Sequence, residues 1–458
     1  MNAPHFLIVG GGTAAISAAH AALDRGATVT LFHDGLPLGG CCLNVGCVPS
    51  KFLIRAAEAA QHARHARFPG VTPQGVVLDV PQLLQAQRKK VTELRRRNYE
   101  EPLPRREGLR LVPARATLQD ARTVAAGGEV YQGDFVLIAT GSRTSIPGIP
   151  GADTVPILTN ETLFHLDNFP ESVLVLGGGY IALEMAQMLC RLGSRVTLIQ
   201  RSGHLLSKQP AELGETLAEL FSSEGMEVLC GTQLTRLSTG GAGIVAEGLQ
   251  DGSPFRREAA AVFSALGRQG NTEGLGLEAL GIVLHGSGYI RVNARYETAV
   301  PGIYAAGDVL GGHQLVYTAS AEAERAVAAC FGDEVAPIEP EEVPWVVFTD
   351  PQIAGIGMDL EAARAAGHRA EEAVLPVNRW PRFSTLGESR GFLKLIRDAD
   401  SDILLGARAL CPEGGDLMTE LAWIRRLRIP LREVANSLAP YLTLSEGIAK
   451  CAARFPKF

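Results

Sequence analysis

Two stretches of this chain obey the same pattern, and together they decide most of what it can fold into. The first is "FLIVGGGTAAISAAHAALDRGATVTLF", near the N-terminus, and the second is "SVLVLGGGYIALEMAQMLCRLGSRVTLIQRS", from residue 172. Each reads as an apolar strand, a glycine turn, a helix and a second strand. The turn residues are Gly10, Gly12 and Ala15 in one copy and Gly177, Gly179 and Ala182 in the other. In such a turn the first glycine makes the bend, the second lets backbone approach a pyrophosphate, and the small third residue lets the helix pack on the strand. The helix N-terminus then faces the phosphate charge. Two units imply two bound dinucleotides.

A ribose contact is expected at the end of each second strand. The first copy has His33 there, with an acid, Asp34, one residue later, so Asp34 is the candidate ligand and His33 a departure. The second copy has Gln200 and Arg201 where an NAD-preferring site carries an acid. An arginine pairs with the 2′-phosphate that an acid would repel, so NADPH is expected over NADH unless Arg201 is an ordinary surface residue. Two further segments, "FVLIATGSRTSIPGIPG" with Gly141 and "AVFSALGRQGNTEGL", each run from a strand into a glycine turn. Then "TAVPGIYAAGDVLGG" puts Asp308 after a strand and a glycine, where its carboxylate can accept a sugar-chain hydroxyl. From about residue 339 strand and helix signals alternate without a dinucleotide turn. The expected fold class is α/β, with two Rossmann-like domains and a C-terminal α+β domain. The expected division is 1–145, 146–270, 271–338 returning to the first domain, and 339–458.

With 458 residues, 46% of them hydrophobic, the chain is long enough for two to four domains with real cores. A net charge of −6 argues against nucleic acid or an anionic membrane as the main partner. The basic run "RKKVTELRRRNYE" has its apolar residues at helical spacing and reads as a solvated helix face. No apolar run reaches the roughly 18 residues that span a bilayer, and "MNAPHFLIVGGG" lacks a signal-peptide pattern, so a cytoplasmic location is expected. Thiols stay reduced there, and Cys190, Cys230, Cys330 and Cys411 read as small buried hydrophobes. That account does not cover "GGCCLNVGCVPSK", which crowds three of the eight cysteines into positions 41, 42 and 47.

This stretch, set between the two dinucleotide units, resembles the FAD-dependent pyridine nucleotide–disulfide oxidoreductases, and the likeness extends over essentially the whole chain. The resemblance implies that Cys42 and Cys47 form a redox disulfide beside the flavin. Four intervening residues at a helix start can bring the two Cα atoms within the roughly 4.4–6.8 Å that a disulfide requires, and a helix N-terminus lowers a thiol's pKa. It further implies that Cys47 is the flavin-side thiolate and Cys42 the interchange thiol. Lys51 and Glu184 become a pair near the flavin's reactive edge and the nicotinamide, Asp308 the FAD-binding acid, and Gly10, Gly12 and Ala15 the lining of the FAD pyrophosphate. Electrons would pass from NADPH to FAD, to the disulfide and on to a substrate. Cys41 stands where the family usually has Thr, as a third soft ligand or a tolerated small side chain.

Disulfide-reducing members carry a His-Pro followed by a Glu, delivered from the partner subunit, and the His protonates the leaving thiolate. Here "APYLTLSEGIAKCAARF" has Tyr441 and Leu442 in those places and keeps Glu446. A tyrosine, with an ordinary pKa of about 10, is a poor proton shuttle. A soft ion such as Hg(II) binds two thiolates and takes two electrons with no leaving thiol to protonate. "CVPSK", "VTELRRRNYE", "VVFTDPQIA" and "PYLTLSEG" resemble the mercuric reductase branch, which implies Tyr99 and Tyr441 on the metal path with Cys42 and Cys47. Read without the resemblance, Tyr99 is an amphipathic-helix residue. Members of that branch typically end in a vicinal cysteine pair and often begin with a CxxC module, whereas this sequence ends "FPKF". Cys451 is then either a single relay thiol or a packed helix residue. The resemblance implies a homodimer with a shared active site and a metal-ion or small-molecule acceptor. The alternatives are a small-disulfide reductase similar to dihydrolipoamide dehydrogenase or glutathione reductase, and a flavin-binding sensor or interaction protein.

Overall fold

A computed structural model describes residues 3–65, 68–73, 75–241 and 243–456; the last two residues of "FPKF" lie outside them. The first glycine unit forms the centre of a parallel five-stranded sheet. Its order is Ile303–Ala305, Phe135–Ile138, His5–Val9, Thr28–Phe32 and Leu109–Val112, so a strand that follows the second unit in sequence completes the sheet of the first. The strands are near-continuous apolar runs because helices cover the sheet. Helix Thr13–Asp24 packs on helix Val316–Cys330 through alanines on both, Ala15, Ala18, Ala19 and Ala22 against Ala319, Ala323 and Ala326. Side chains this small let the two backbones approach closely.

The second unit repeats the design in another parallel sheet, in the order Glu227–Leu229, Arg195–Ile199, Ser172–Leu176, Ala261–Ser264, Ile157–Leu158. Both turns depend on glycine for the same reason. Gly10 has φ +138° and a Cβ there would lie 2.2 Å from the Ala139 carbonyl oxygen; Gly177 has φ +115° and the Ala265 carbonyl oxygen at 2.5 Å. No other residue fits at either place.

The C-terminal sheet is antiparallel, in the order Trp345–Val347, Gln352–Gly357, Leu404–Cys411, Phe392–Asp398, Ala370–Pro376. Strand Leu404–Cys411 is buried along its whole length because both faces are covered. Alternation sorts its neighbours: Ala354, Ala407 and Ala409 face helices Leu417–Arg426 and Glu446–Ala452, while Ile353 and Leu410 face the other way. There they join Leu53 and Ala57 of helix Cys47–Arg64 and Leu183, Met185 and Ala186 of helix Tyr180–Arg191 in one core. This core binds the cysteine-bearing helix to the second dinucleotide unit and the C-terminal domain. Among the described residues no helix is long and apolar enough to cross a membrane.

Candidate active site

Cys42 lies in the short helix Gly40–Asn44, and Cys47 opens the long helix Cys47–Arg64. The chain reverses tightly at Gly46, where a Cβ would come within 2.9 Å of the Cys41 carbonyl oxygen. Asn44 braces the first turn by donating to the carbonyls of Pro37 at 3.0 Å and Gly40 at 2.9 Å, and its own oxygen accepts from Arg95 Nη1 at 3.1 Å. Both cysteines stand as thiols, joined by a hydrogen bond. The Cys47 thiol is pushed down to about 7, first by that hydrogen bond from Cys42 and also by the Lys51 ammonium, against burial and Glu184. Cys42 moves the other way, far above the ordinary thiol range, because its proton is held against Cys47. The first proton of the pair therefore leaves from Cys47, near neutral pH, and the negative charge the pair takes up sits there.

Lys51 sits one turn beyond Cys47, and its Nζ is 2.6 Å from Glu184 Oε2. The other oxygen of Glu184 accepts the Phe348 N–H at 2.9 Å, and the Phe348 ring lies 4.8 Å from Lys51 Nζ. Two more side chains on the same face of helix Tyr180–Arg191 continue the grip on this segment. Gln187 accepts the Asp350 N–H at 2.8 Å and donates to the Asp350 carbonyl at 2.9 Å, and Arg191 Nη1 pairs with Asp350 Oδ2 at 2.9 Å. Residues 184, 187 and 191 thus form a buried polar stripe, each member satisfied, as such groups must be away from water. Ionised Glu184 is compensated by Lys51 and by a backbone donor.

Asp308 follows Gly307 at the mouth of the first sheet. Ser142 Oγ donates to Asp308 Oδ2 at 3.0 Å, and Ser142 in turn accepts from Arg268 Nε at 2.7 Å and Gln314 Nε2 at 3.2 Å. Gly141, just before Ser142, has φ +72°. Cys41 joins this network rather than the dithiol: its sulfur accepts from Asn160 Nδ2 at 3.6 Å and Arg268 Nη2 at 3.7 Å. Burial pushes the Cys41 thiol up and Arg268 opposes it.

The remaining sequence-predicted residues fall into two groups. Tyr99 comes to the dithiol. It lies on a π-helical turn, Arg96–Glu100, where an ordinary helix is expected from the sequence, and its ring covers Gly39. Its phenol is pushed up by burial and next by Cys42. Tyr441 does not come to the dithiol of its own chain; it is 71% exposed on the loop before helix Glu446–Ala452. Glu446 is buried below that loop, accepting the Leu442 N–H at 2.9 Å and pairing with Lys450 at 3.0 Å. Arg201 and Asp34 are both exposed beyond their strands. His33 backs against Gly11, where a Cβ would meet its Cβ at 2.9 Å, and Gln200 backs against Gly178 in the same way. Cys451 is fully buried, its sulfur against the carbonyls of Ala373 and Leu393, and burial pushes its thiol up to about 12. It is a packed helix residue and not a relay.

Sequence reasoning missed Tyr180, Phe348, Arg268 and Ser142. Tyr180 follows Gly179 directly and stacks on Trp345, ring centroids 5.3 Å apart. Its place between Gly179 and Glu184 was the available signal. The other three are visible only once distant segments are brought together.

Both dinucleotide helices begin without a side-chain cap, at Gly12 and Gly179, so their N–H groups are open to an anion. The comparisons with known proteins agree with this geometry. Residues 4–323 match the pyridine nucleotide-disulphide oxidoreductase family and residues 343–452 match its dimerisation domain. The mercuric reductase of Shewanella putrefaciens is 38% identical over 99% of this chain and 81% of that protein. That of Streptomyces lividans is 35% identical over 98% and 95%. Among solved structures, the HOCl-induced flavoprotein disulfide reductase RclA of Escherichia coli superposes with a TM-score of 0.88 at 25% identity, covering 99% of this chain and 100% of that one. LpdA of Mycobacterium tuberculosis gives a TM-score of 0.88 at 28% identity over 98% and 99%. The chain belongs to the pyridine nucleotide–disulphide oxidoreductases, FAD-binding flavoenzymes that use NAD(P)H.

Proposed function

We propose that this flavoenzyme takes electrons from NADPH and delivers them through FAD and the Cys42–Cys47 pair to a soft metal ion, Hg(II) foremost. FAD supplies two-electron transfer between a hydride donor and a dithiol. The open cradle at Gly10, Gly12 and the N-terminus of helix Thr13–Asp24 suits its pyrophosphate, and Asp308, backed by Ser142, suits its sugar chain. At the second turn Gly177, Gly179 and Ala182 would hold the nicotinamide nucleotide, with exposed Arg201 free to meet a 2′-phosphate.

Within the chain each residue of the dithiol has a distinct task. Lys51, fixed by Glu184, holds negative charge on Cys47. Cys42 retains its proton until a soft ion displaces it, and two sulfurs then suffice for the linear coordination such ions accept. Tyr99 closes the Cys42 side. In the dimer Tyr441 would arrive from the partner subunit, and Glu446 steadies its loop. Exposed Trp423, Leu427 and Leu438 in the same domain supply apolar surface for that contact.

The observation that carries this reading is the setting of Cys42, with Tyr99 beside it and a tyrosine in place of the general-acid histidine at 441. The mercuric reductase relatives support it independently. The test is NADPH oxidation by the purified dimer with Hg(II) in excess small thiol, the volatile metal being trapped and counted. Stoichiometric metal release that is abolished in Cys42→Ser is the expected result; rapid NADPH-dependent flavin reduction without metal release would refute Hg(II) as acceptor. RclA has been solved as a Cu(II) complex, which favours copper as a second reading, examined in the same assay with Cu(II).

A further inference from the structure

One acidic side chain of helix Val316–Cys330 reaches the turn that presents Asp308, and the electron path described above does not use it. Glu322 Oε2 accepts the Gly307 N–H at 2.8 Å. Gly307 has φ +82° and ψ −158°, a conformation open essentially to glycine alone, and no side chain caps the short 3₁₀ turn that begins after it. A Cβ on Gly307 would stand 2.9 Å from the Ala14 Cβ and 3.4 Å from the Ala319 Cβ. The turn is therefore wedged between two helices, and the Glu322 carboxylate anchors the peptide ahead of Asp308.

The charged groups facing Glu322 are Asp308, of like sign, and Arg325, three residues along the same helix. Burial pushes the Glu322 carboxyl up to about 7; the Gly307 N–H and Arg325 pull it down, and Asp308 adds to the rise. Holding a carboxyl against burial and a like charge is unfavourable, and a backbone hydrogen bond to a charged acceptor is among the stronger ones available. What this arrangement secures is the orientation of a single peptide unit.

We propose that Glu322 is a positioning residue for the flavin: by holding the Gly307 N–H it fixes the turn that aims the Asp308 carboxylate at the sugar chain of FAD. The proposal rests on the reading of Asp308 as the FAD-binding acid. Glutamine presents the same acceptor without the charge and alanine presents none.

The test is the rate at which purified holoprotein releases FAD on dilution, followed by the rise of flavin fluorescence. Glu322→Ala should release FAD about tenfold faster than the parent, and Glu322→Gln should stay within about twofold. Ser320→Ala serves as the control. It removes the 3.0 Å hydrogen bond from Ser17 that joins the same two helices, and it should leave the rate unchanged. If Glu322→Ala releases FAD at the parent rate while Asp308→Ala releases it fast, this proposal alone falls. If Asp308→Ala also releases at the parent rate, the reading of Asp308 falls and takes the proposal with it. Should Glu322→Ala fail to fold with flavin, retention by Glu322→Gln upholds the hydrogen-bond role, and equal failure of Glu322→Gln overturns it.

Discussion

The two glycine units share the backbone at their helix starts to within a few degrees and share little else. Gly12 and Gly179 lie at φ −91°, ψ −172° and φ −89°, ψ −177°; the preceding glycines, Gly10 and Gly177, each donate to the last strand carbonyl, of Phe32 and Ile199, at 2.8 Å. Even the return of the chain is repeated, since the Gly11 carbonyl accepts from Gly39 at 2.9 Å and the Gly178 carbonyl from Leu206 at 2.8 Å. The segment anchored there is what differs. In the first unit it leads into the cysteine helix; in the second it leads to helix Ala211–Ser223. The helices differ too, one faced with alanine and packed closely on a neighbour, the other carrying Glu184, Gln187 and Arg191 into the C-terminal domain. The phosphate-binding end of such a unit is fixed by sterics, while its flanks are free to specialise, one for retaining a cofactor and the other for linking domains.

The sharpest way to break this comparison is to fill each first glycine. Gly10→Val should give a protein without flavin, whereas Gly177→Val should remain yellow yet be reduced by NADPH at least about 100-fold more slowly, given contacts as short as 2.2 and 2.5 Å. Equal loss of flavin in both would erase the division of labour. A smaller effect is expected from Glu184→Gln, which breaks the pair with Lys51. Because Lys51 is partly exposed, the loss lies between the roughly 1 kcal/mol of a surface pair and the 3–5 kcal/mol of a buried one, and stopped-flow flavin reduction should slow about tenfold or more. The matching change at Gln187→Ala should lower stability by about 1–3 kcal/mol and leave that rate alone.

Two gentler changes sharpen the contrast further. Arg201→Glu should cut the ratio of kcat/KM for NADPH over NADH by about tenfold, while Asp34→Ala in the first unit alters nicotinamide preference not at all. An unchanged ratio in Arg201→Glu would return that arginine to the ordinary surface. Lys51→Met concerns the thiol. Lys51 lowers the Cys47 pKa, so its loss must raise it, and the midpoint of iodoacetamide reaction with reduced enzyme should move from about 7 toward the ordinary value of about 8.5. A midpoint that stays in place would take Lys51 out of the depression.

The glycine turns and the dithiol segment were legible in the sequence because each is a local steric demand written within a dozen residues. Gly10, Gly177 and Gly46 are forced by atoms that any fold of this kind puts there. What could not be read were contacts made by the meeting of distant segments. Arg268 reaches Ser142 and Cys41 across more than 120 residues, and Glu184 finds the Phe348 N–H across 164. Nothing local marks Arg268 as a partner of Cys41, or Cys451 as buried rather than available. The π turn under Tyr99 was equally hidden, since one extra residue in a helical turn leaves the apolar spacing nearly intact.

Leu442 has φ +64° and spends its N–H on Glu446. Proline, held near φ −65° and lacking that hydrogen, can satisfy neither condition. Exchanging the Tyr-Leu found here for a His-Pro pair is therefore a change of backbone as well as of side chains. A proline at 442 would force the loop that carries Tyr441 into another shape. One backbone torsion at residue 442 thus helps decide where the side chain of residue 441 stands.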